Sequence, residues 1–168
     1  MVSNWFCNTR ENVKGIEVLL RRSAQVALRA CALLASDAKS APRPARELAV
    51  EMGLGGSYVS KVLHDLILAN LVEGVRGPKG GVKLARPAGD VRLWDVLEAV
   101  QTMGELDRCL LGQKACDEGR PCPLHEDWNP IRTQIQDLFE SKNLTALVEG
   151  SGARGATIEP KDVFGEKA

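Results

Sequence analysis

The stretch GLGGSYVSKVLHDLILANLVEGVRGPKGGVKLAR, residues 53–86, decides the fold. Gly53, Gly55 and Gly56 make a tight turn, and Ser57 stands where an N-cap opens a helix. Val59, Val62, Leu63, Leu66 and Ile67 then recur at three- and four-residue spacing, the stripe of an amphipathic helix that runs out at Asn70 and Leu71. The other face of that helix carries Ser57, Tyr58, Ser60, Lys61 and His64, side chains able to hydrogen-bond phosphates or base edges. Residues 71–75 and 82–85 are short strand-like runs, and Arg76-Gly-Pro-Lys-Gly-Gly81 between them is turn-forming, which predicts a β-hairpin. From Val75 to Arg86 there are four basic residues, Arg76, Lys79, Lys83 and Arg86, and no acidic one.

Upstream, Leu20, Ala24, Ala27, Leu28, Cys31, Leu34 and Ala35 form a second helical stripe. The residues 36–44, with Pro42 and Pro44, break it, and residues 45–52 read as a short helix with Leu48, Ala49 and Met52 on one side. Three helices followed by a basic hairpin predict a winged helix-turn-helix, with the third helix entering the DNA major groove and the wing touching backbone or minor groove.

Downstream, residues 91–103 read as a helix with Leu93, Val96, Leu97 and Val100 as its stripe. A long amphipathic helix is predicted over 128–148, through Trp128, Ile131, Ile135, Leu138, Phe139, Leu144 and Leu147, with a partner helix as its natural cover. The fold class is therefore mainly α with a small β-hairpin wing, a winged helix-turn-helix plus a long C-terminal helix. The expected organisation is an N-terminal extension over 1–19, a DNA-binding domain over 20–88, a connecting helix over 89–104, a cysteine-bearing loop over 105–127, a helix over 128–149 and a disordered tail over 150–168.

Composition narrows the classes of function. The 168 residues include 22 basic and 22 acidic side chains, so net charge is zero and any DNA contact must be local. No apolar run reaches the roughly 18 residues of a membrane span, and the first 25 residues lack a signal peptide's apolar core. A cytoplasmic protein without membrane or small-molecule partner is expected. An enzyme is not: His64 and His125 lack a nucleophile and an orienting group at a legible spacing, and the glycines of the wing are not followed by Gly-Lys-Ser/Thr.

Five cysteines stand at 7, 31, 109, 116 and 122. Cys31 falls on the first stripe and reads as a small core residue, and Cys7 has no assigned role. Cys109, Cys116, Cys122 and His125 follow the order Cys-x6-Cys-x5-Cys-Pro-Leu-His. Thiolates and imidazole suit iron-sulfur or zinc centres, and the spacing is wider than the Cys-x2-Cys knuckles of structural zinc sites. Four candidate ligands thus serve one site, with an acidic residue, solvent or a group from a second subunit as competitors for the fourth position.

Residues 20–148 resemble the bacterial winged-helix iron-sulfur transcriptional regulator family of IscR and NsrR. The resemblance is carried by Ser57-Tyr-Val-Ser-Lys61, Asn70-Leu-Val72, Arg76-Gly-Pro-Lys-Gly-Gly81, Leu84-Ala-Arg-Pro87, Asp95-Val96 and the three loop cysteines. It implies a homodimer joined through the helix after the loop and reading a pseudo-palindromic double-stranded DNA operator. By match to the family, Ser57, Tyr58, Ser60, Lys61, Arg76 and Lys79 are the DNA-binding candidates, with Arg76 in the minor groove. Cys109, Cys116, Cys122 and His125 are the implied cofactor and metal ligands. Cys122-Pro-Leu-His125 resembles the IscR branch and favours a 2Fe-2S cluster, with 4Fe-4S as the alternative; where the NsrR branch has an aspartate, this chain has Gln25.

The resulting expectation is a dimeric regulator, a repressor by preference, that senses iron-sulfur status, redox state or nitric oxide. The alternatives are a zinc- or thiol-based repressor without a cluster, and a small metal or electron-transfer protein with no role on DNA.

Overall fold

A computed structural model describes residues 20–36, 41–78, 80–101, 103–104, 109, 111, 119 and 121–153. The extension over 1–19 and the tail beyond residue 153 lie outside the described residues.

Helix α1, Arg22–Ser36, buries Ala24, Val26, Ala27, Ala30, Cys31 and Leu34, so the small residues of the stripe bring its backbone close to its neighbours. Helix α2, Ala45–Glu51, starts after Pro44, whose carbonyl accepts bonds from the amides of Glu47 and Leu48 at 2.9 and 3.3 Å. It stops at Gly53, which adopts φ +65°; the amides of Gly53 and Leu54 turn back to the carbonyls of Val50 and Ala49 at 3.0 and 2.9 Å. This paired closure needs a left-handed residue, which glycine supplies without strain.

Helix α3, Gly56–Leu68, ends in the same way with Asn70 at φ 55°: the amides of Asn70 and Leu71 reach the carbonyls of Ile67 and Leu66, each at 3.0 Å. Asparagine is among the few side-chain-bearing residues that visit this region readily. The start of α3 corrects the expected cap. Gly55 is the N-cap, its carbonyl accepting from Tyr58 and Val59 at 3.1 and 3.2 Å, and Ser57 lies inside the first turn.

Strands β1, Val72–Val75, and β2, Gly81–Leu84, pair antiparallel with Val72 opposite Leu84 and Val75 opposite Gly81, one residue from the expected bounds of the second run. The hairpin is anchored to the segment before α2. Arg43 and Val82 exchange two backbone bonds of 2.8 Å each, and a Cβ on Gly81 would stand 2.4 Å from the Arg43 carbonyl carbon. The close approach of two backbones therefore excludes any side chain at position 81.

A short 3-10 turn, Ala88–Asp90, leads to α4, Leu93–Glu98, which is shorter than the helix expected over 91–103. Buried Gln101 follows, its side-chain amide oxygen accepting from the Arg21 amide at 2.9 Å and its nitrogen lying 3.1 Å from Met103 Sδ. The final element also departs from expectation. The single helix expected over 128–148 is two, α5, His125–Glu140, and α6, Leu144–Ala153.

The break has a physical cause. Asn143 caps α6 by accepting from the Ala146 amide at 2.9 Å, and its own amide donates to the Gly89 carbonyl at 3.0 Å. On either side the backbone bonds to residues 91–93: the Leu93 amide to the Lys142 carbonyl at 2.9 Å and the Leu144 amide to the Val91 carbonyl at 3.0 Å. Leu144 then enters the main core with Val91, Leu93 and Val96, which is continuous with Leu48, Leu63 and Leu66 of α2 and α3. A second cluster of Ala24, Leu97 and Met103, flanked by Trp94 and Phe139, joins α1 to α4 and α5. The architecture is a mainly helical winged helix-turn-helix with a two-stranded wing.

Candidate nucleic-acid interface and cysteine loop

On α3, Val59, Val62, Leu63 and Leu66 face the core, so Ser57, Ser60, Lys61 and His64, at helical spacings of three, one and three, are turned outward and exposed. Tyr58 differs from the expected outward position: it is half-buried, its ring packed against the core. Arg76 leaves the end of β1 at the tip of the wing and is exposed beside Gly77, whose φ of +119° shapes the turn. Lys79 lies outside the described residues.

The three described basic residues of the wing sequence, Arg76, Lys83 and Arg86, separate once side chains are placed. Lys83 pairs with Glu73 directly across the hairpin at 2.8 Å, and Arg86 pairs with Asp95 of α4 at 3.2 Å. Asp95 also takes Arg92 at 2.7 Å, an arrangement that raises the affinity of the Arg92 guanidinium for its proton through that hydrogen bond and the carboxylate charge. Among the described residues Arg76 and Lys61 have no acidic partner, which leaves their charges available for phosphate. Arg46, exposed in the first turn of α2, is a third such cation that the sequence reading passed over. Its position on the side of the short helix opposite buried Leu48 was the available signal.

The cysteine segment is built on different principles. Cys109 and Cys122 are 6% and 8% exposed, and His125, expected within the loop, is instead the first residue of α5 and 8% exposed. The His125 amide bonds to the Cys122 carbonyl at 2.9 Å, a turn that ties the third loop cysteine to the helix start. His125 is the one buried residue of α5. Cys116 lies outside the described residues, and among those described no three His, Cys, Asp or Glu side chains converge as a metal-binding group. Cys31, by contrast, is fully buried on α1, and desolvation pushes its thiol up to about 12. Gln25 is turned to its own backbone, donating to the Leu20 carbonyl at 3.1 Å. No described helix is long and apolar enough to cross a membrane.

A third helix with an outward polar face, a preceding short helix and a hairpin wing whose tip carries an arginine with no acidic partner among the described residues define a winged helix-turn-helix DNA-binding protein. The chain belongs to the Rrf2 family, whose model, described as an iron-dependent transcriptional regulator, matches residues 20–150. It is thus a DNA-binding transcriptional regulator and not an enzyme. A protein of Aquifex aeolicus (strain VF5) named as an HTH-type transcriptional regulator is 31% identical over 109 residues, 64% of this chain and 70% of that protein. The HTH-type transcriptional regulator IscR of Xenorhabdus nematophila is 30% identical over 116 residues, 69% of this chain and 70% of that protein. Among solved structures, CymR, the global cysteine regulator of B. subtilis, superposes with a TM-score of 0.67 at 20% identity, covering 77% of this chain and 95% of that one. At that identity the likeness shows the fold alone.

Proposed function

We propose that the protein is a cytoplasmic homodimeric regulator, a repressor by preference, in which a 2Fe-2S cluster held by Cys109, Cys116, Cys122 and His125 controls operator binding. The observation that carries this reading is the burial of Cys122 and His125 where the loop enters α5, together with that of Cys109 earlier in the loop. Three soft or borderline donors withdrawn from water suit an iron-sulfur centre, and a partly hydrophobic surround is one of the levers that stabilise it. The IscR relative supports the same reading. When bound, the cluster supplies a redox- and nitric-oxide-sensitive cross-link between the loop and α5.

The chain's own residues give that cross-link a path to DNA. The end of α5 is bonded through residues 142–144 to residues 91–93 at the start of α4, and α6 packs on α1. A change in the loop alters the relative stability of two arrangements of this strap, and only that difference can move the DNA-competent population. On the DNA side, Ser57, Ser60, Lys61 and Arg46 supply phosphate or base contacts, Tyr58 positions the helix, and Arg76 and Lys79 serve the wing, with Arg76 in a narrow A·T minor groove. Exposed Ile131 and Leu138, seven residues apart on α5, support dimerisation through that helix.

Anaerobic reconstitution tests the cluster. Visible absorption with matched iron and sulfide, lost in Cys116→Ala, is the expected result; equal iron and sulfide in the two proteins overturns it. Zinc without sulfide, or neither, selects instead the thiol- or zinc-based repressor. Arg76→Ala is expected to weaken operator binding and lower the salt slope by about one.

A further inference from the structure

Trp128 lies one helical turn after His125, on the side of α5 that also carries the partly covered Arg132, Ile135 and Phe139. Its indole Nε1 is shut off from solvent and has no hydrogen-bond partner among the described residues. The indole nitrogen is a donor only, and burying it unpaired opposes folding, so native proteins rarely leave such a group without an acceptor. Residues three apart on a helix are neighbours on its surface, which places Trp128 beside buried His125 and, through the turn at Cys122, beside the cysteine segment. The turn brings Cys122 to this end of α5, and a thiolate there, or a sulfide bound to it in the proposed centre, is a strong acceptor for that N–H.

We propose that Trp128 donates its indole N–H to a sulfur of the iron-sulfur centre carried by Cys109, Cys116, Cys122 and His125, and so sets the potential and the lifetime of that centre. The inference rests on the cluster reading given above. A hydrogen bond to sulfur stabilises the more negative, reduced state, and outer partners of this kind hold a centre as well as tune it. The donor also accounts for an aromatic residue on α5 that is neither in the core clusters nor among the exposed apolar positions.

The test is Trp128→Phe in the full chain, which keeps the ring and removes the N–H. Anaerobically reconstituted variant is expected to take up iron and sulfide, to be reduced at a lower potential than wild type, and to lose its visible absorption to a chelator about tenfold faster. Apo variant is expected to melt no lower than apo wild type, because an unpaired buried donor has been removed. Equal potentials and equal loss rates overturn the role of Trp128 while the cluster reading stands; a lower apo melting temperature with unchanged potential assigns Trp128 a purely structural role and also overturns it. A wild-type protein that takes up no iron and sulfide overturns both. Where the variant fails to fold, 15N-labelled indole signals of the wild type decide: the Trp128 N–H is expected to be shifted and slowed in hydrogen exchange on reconstitution, and an unchanged, fast-exchanging signal refutes the bond.

Discussion

The outward face of α3 and the start of α5 place their functional residues in opposite ways. On α3 the residues proposed to face DNA, Ser57, Ser60, Lys61 and His64, are exposed, and the helix is held by others, Val59, Val62, Leu63 and Leu66, on its far side. Around the start of α5 the proposed ligands Cys122 and His125 are themselves buried, as is Cys109 earlier in the loop. The difference follows from the partners. DNA is a large polyanion met at a surface, where charge is cheap to keep hydrated until contact, whereas a redox centre must be shielded and its ligands fixed. It also predicts that the two regions respond differently to substitution: α3 tolerates change on its functional face and not behind it, and α5 the reverse.

The strongest way to break that contrast is to hollow the core behind α3. Leu66→Ala removes a fully buried side chain from the main cluster and is expected to cost about 2–5 kcal/mol by chemical denaturation. A cost below that of an ordinary surface change would mean the functional face does not depend on its backing. Next in size is Gly81→Ala. The new Cβ meets the Arg43 carbonyl at 2.4 Å, backbone against backbone, so neither side yields cheaply and a loss of about 1–3 kcal/mol is expected, with weaker operator binding because the wing is displaced.

The cysteines sharpen the comparison chemically. Cys31 has its thiol pushed up to about 12 by burial, against 9.0 for an unperturbed thiol. Folding thus favours the protonated form, and the resulting stabilisation is complete below pH 9.0 and is lost as pH rises toward 12. Iodoacetamide at pH 8 should leave Cys31 unmodified in the folded protein and label it in urea, a difference read by mass spectrometry. Labelling of Cys31 in native protein would show that α1 opens. The smallest effect is expected at the surface: Glu51→Gln breaks the partly exposed pair with Arg43 and should change stability by under about 1 kcal/mol, less still in high salt.

The sequence carried the fold further than it carried the site. The stripes of α1 and α3, the glycine turn at Gly53 and the hairpin were legible because each depends on residues a few positions apart. Family membership confirmed the regulator reading and withdrew support from an electron-transfer protein. The site was legible as composition, in the clustering of Cys109, Cys122 and His125, but not as geometry: neither the placement of His125 as the first residue of α5 nor the unpaired indole of Trp128 has a signature in spacing.

What the sequence determined by itself, then, was which segments are helical or extended and which residue types each face presents, since hydrophobic period and turn chemistry are local properties. Only the tertiary structure decided which charges remain for DNA. Glu73 and Asp95 lie outside the basic run of the wing, yet strand pairing and the docking of α4 bring them onto Lys83 and Arg86, leaving Arg76 exposed. It likewise decided that the apolar stripe from Trp128 to Leu147 breaks at residues 141–143, because Val91 and Leu93 claim that backbone from some fifty residues away. Pairings of that range are set by how the chain closes on itself, and no periodicity within a segment encodes them.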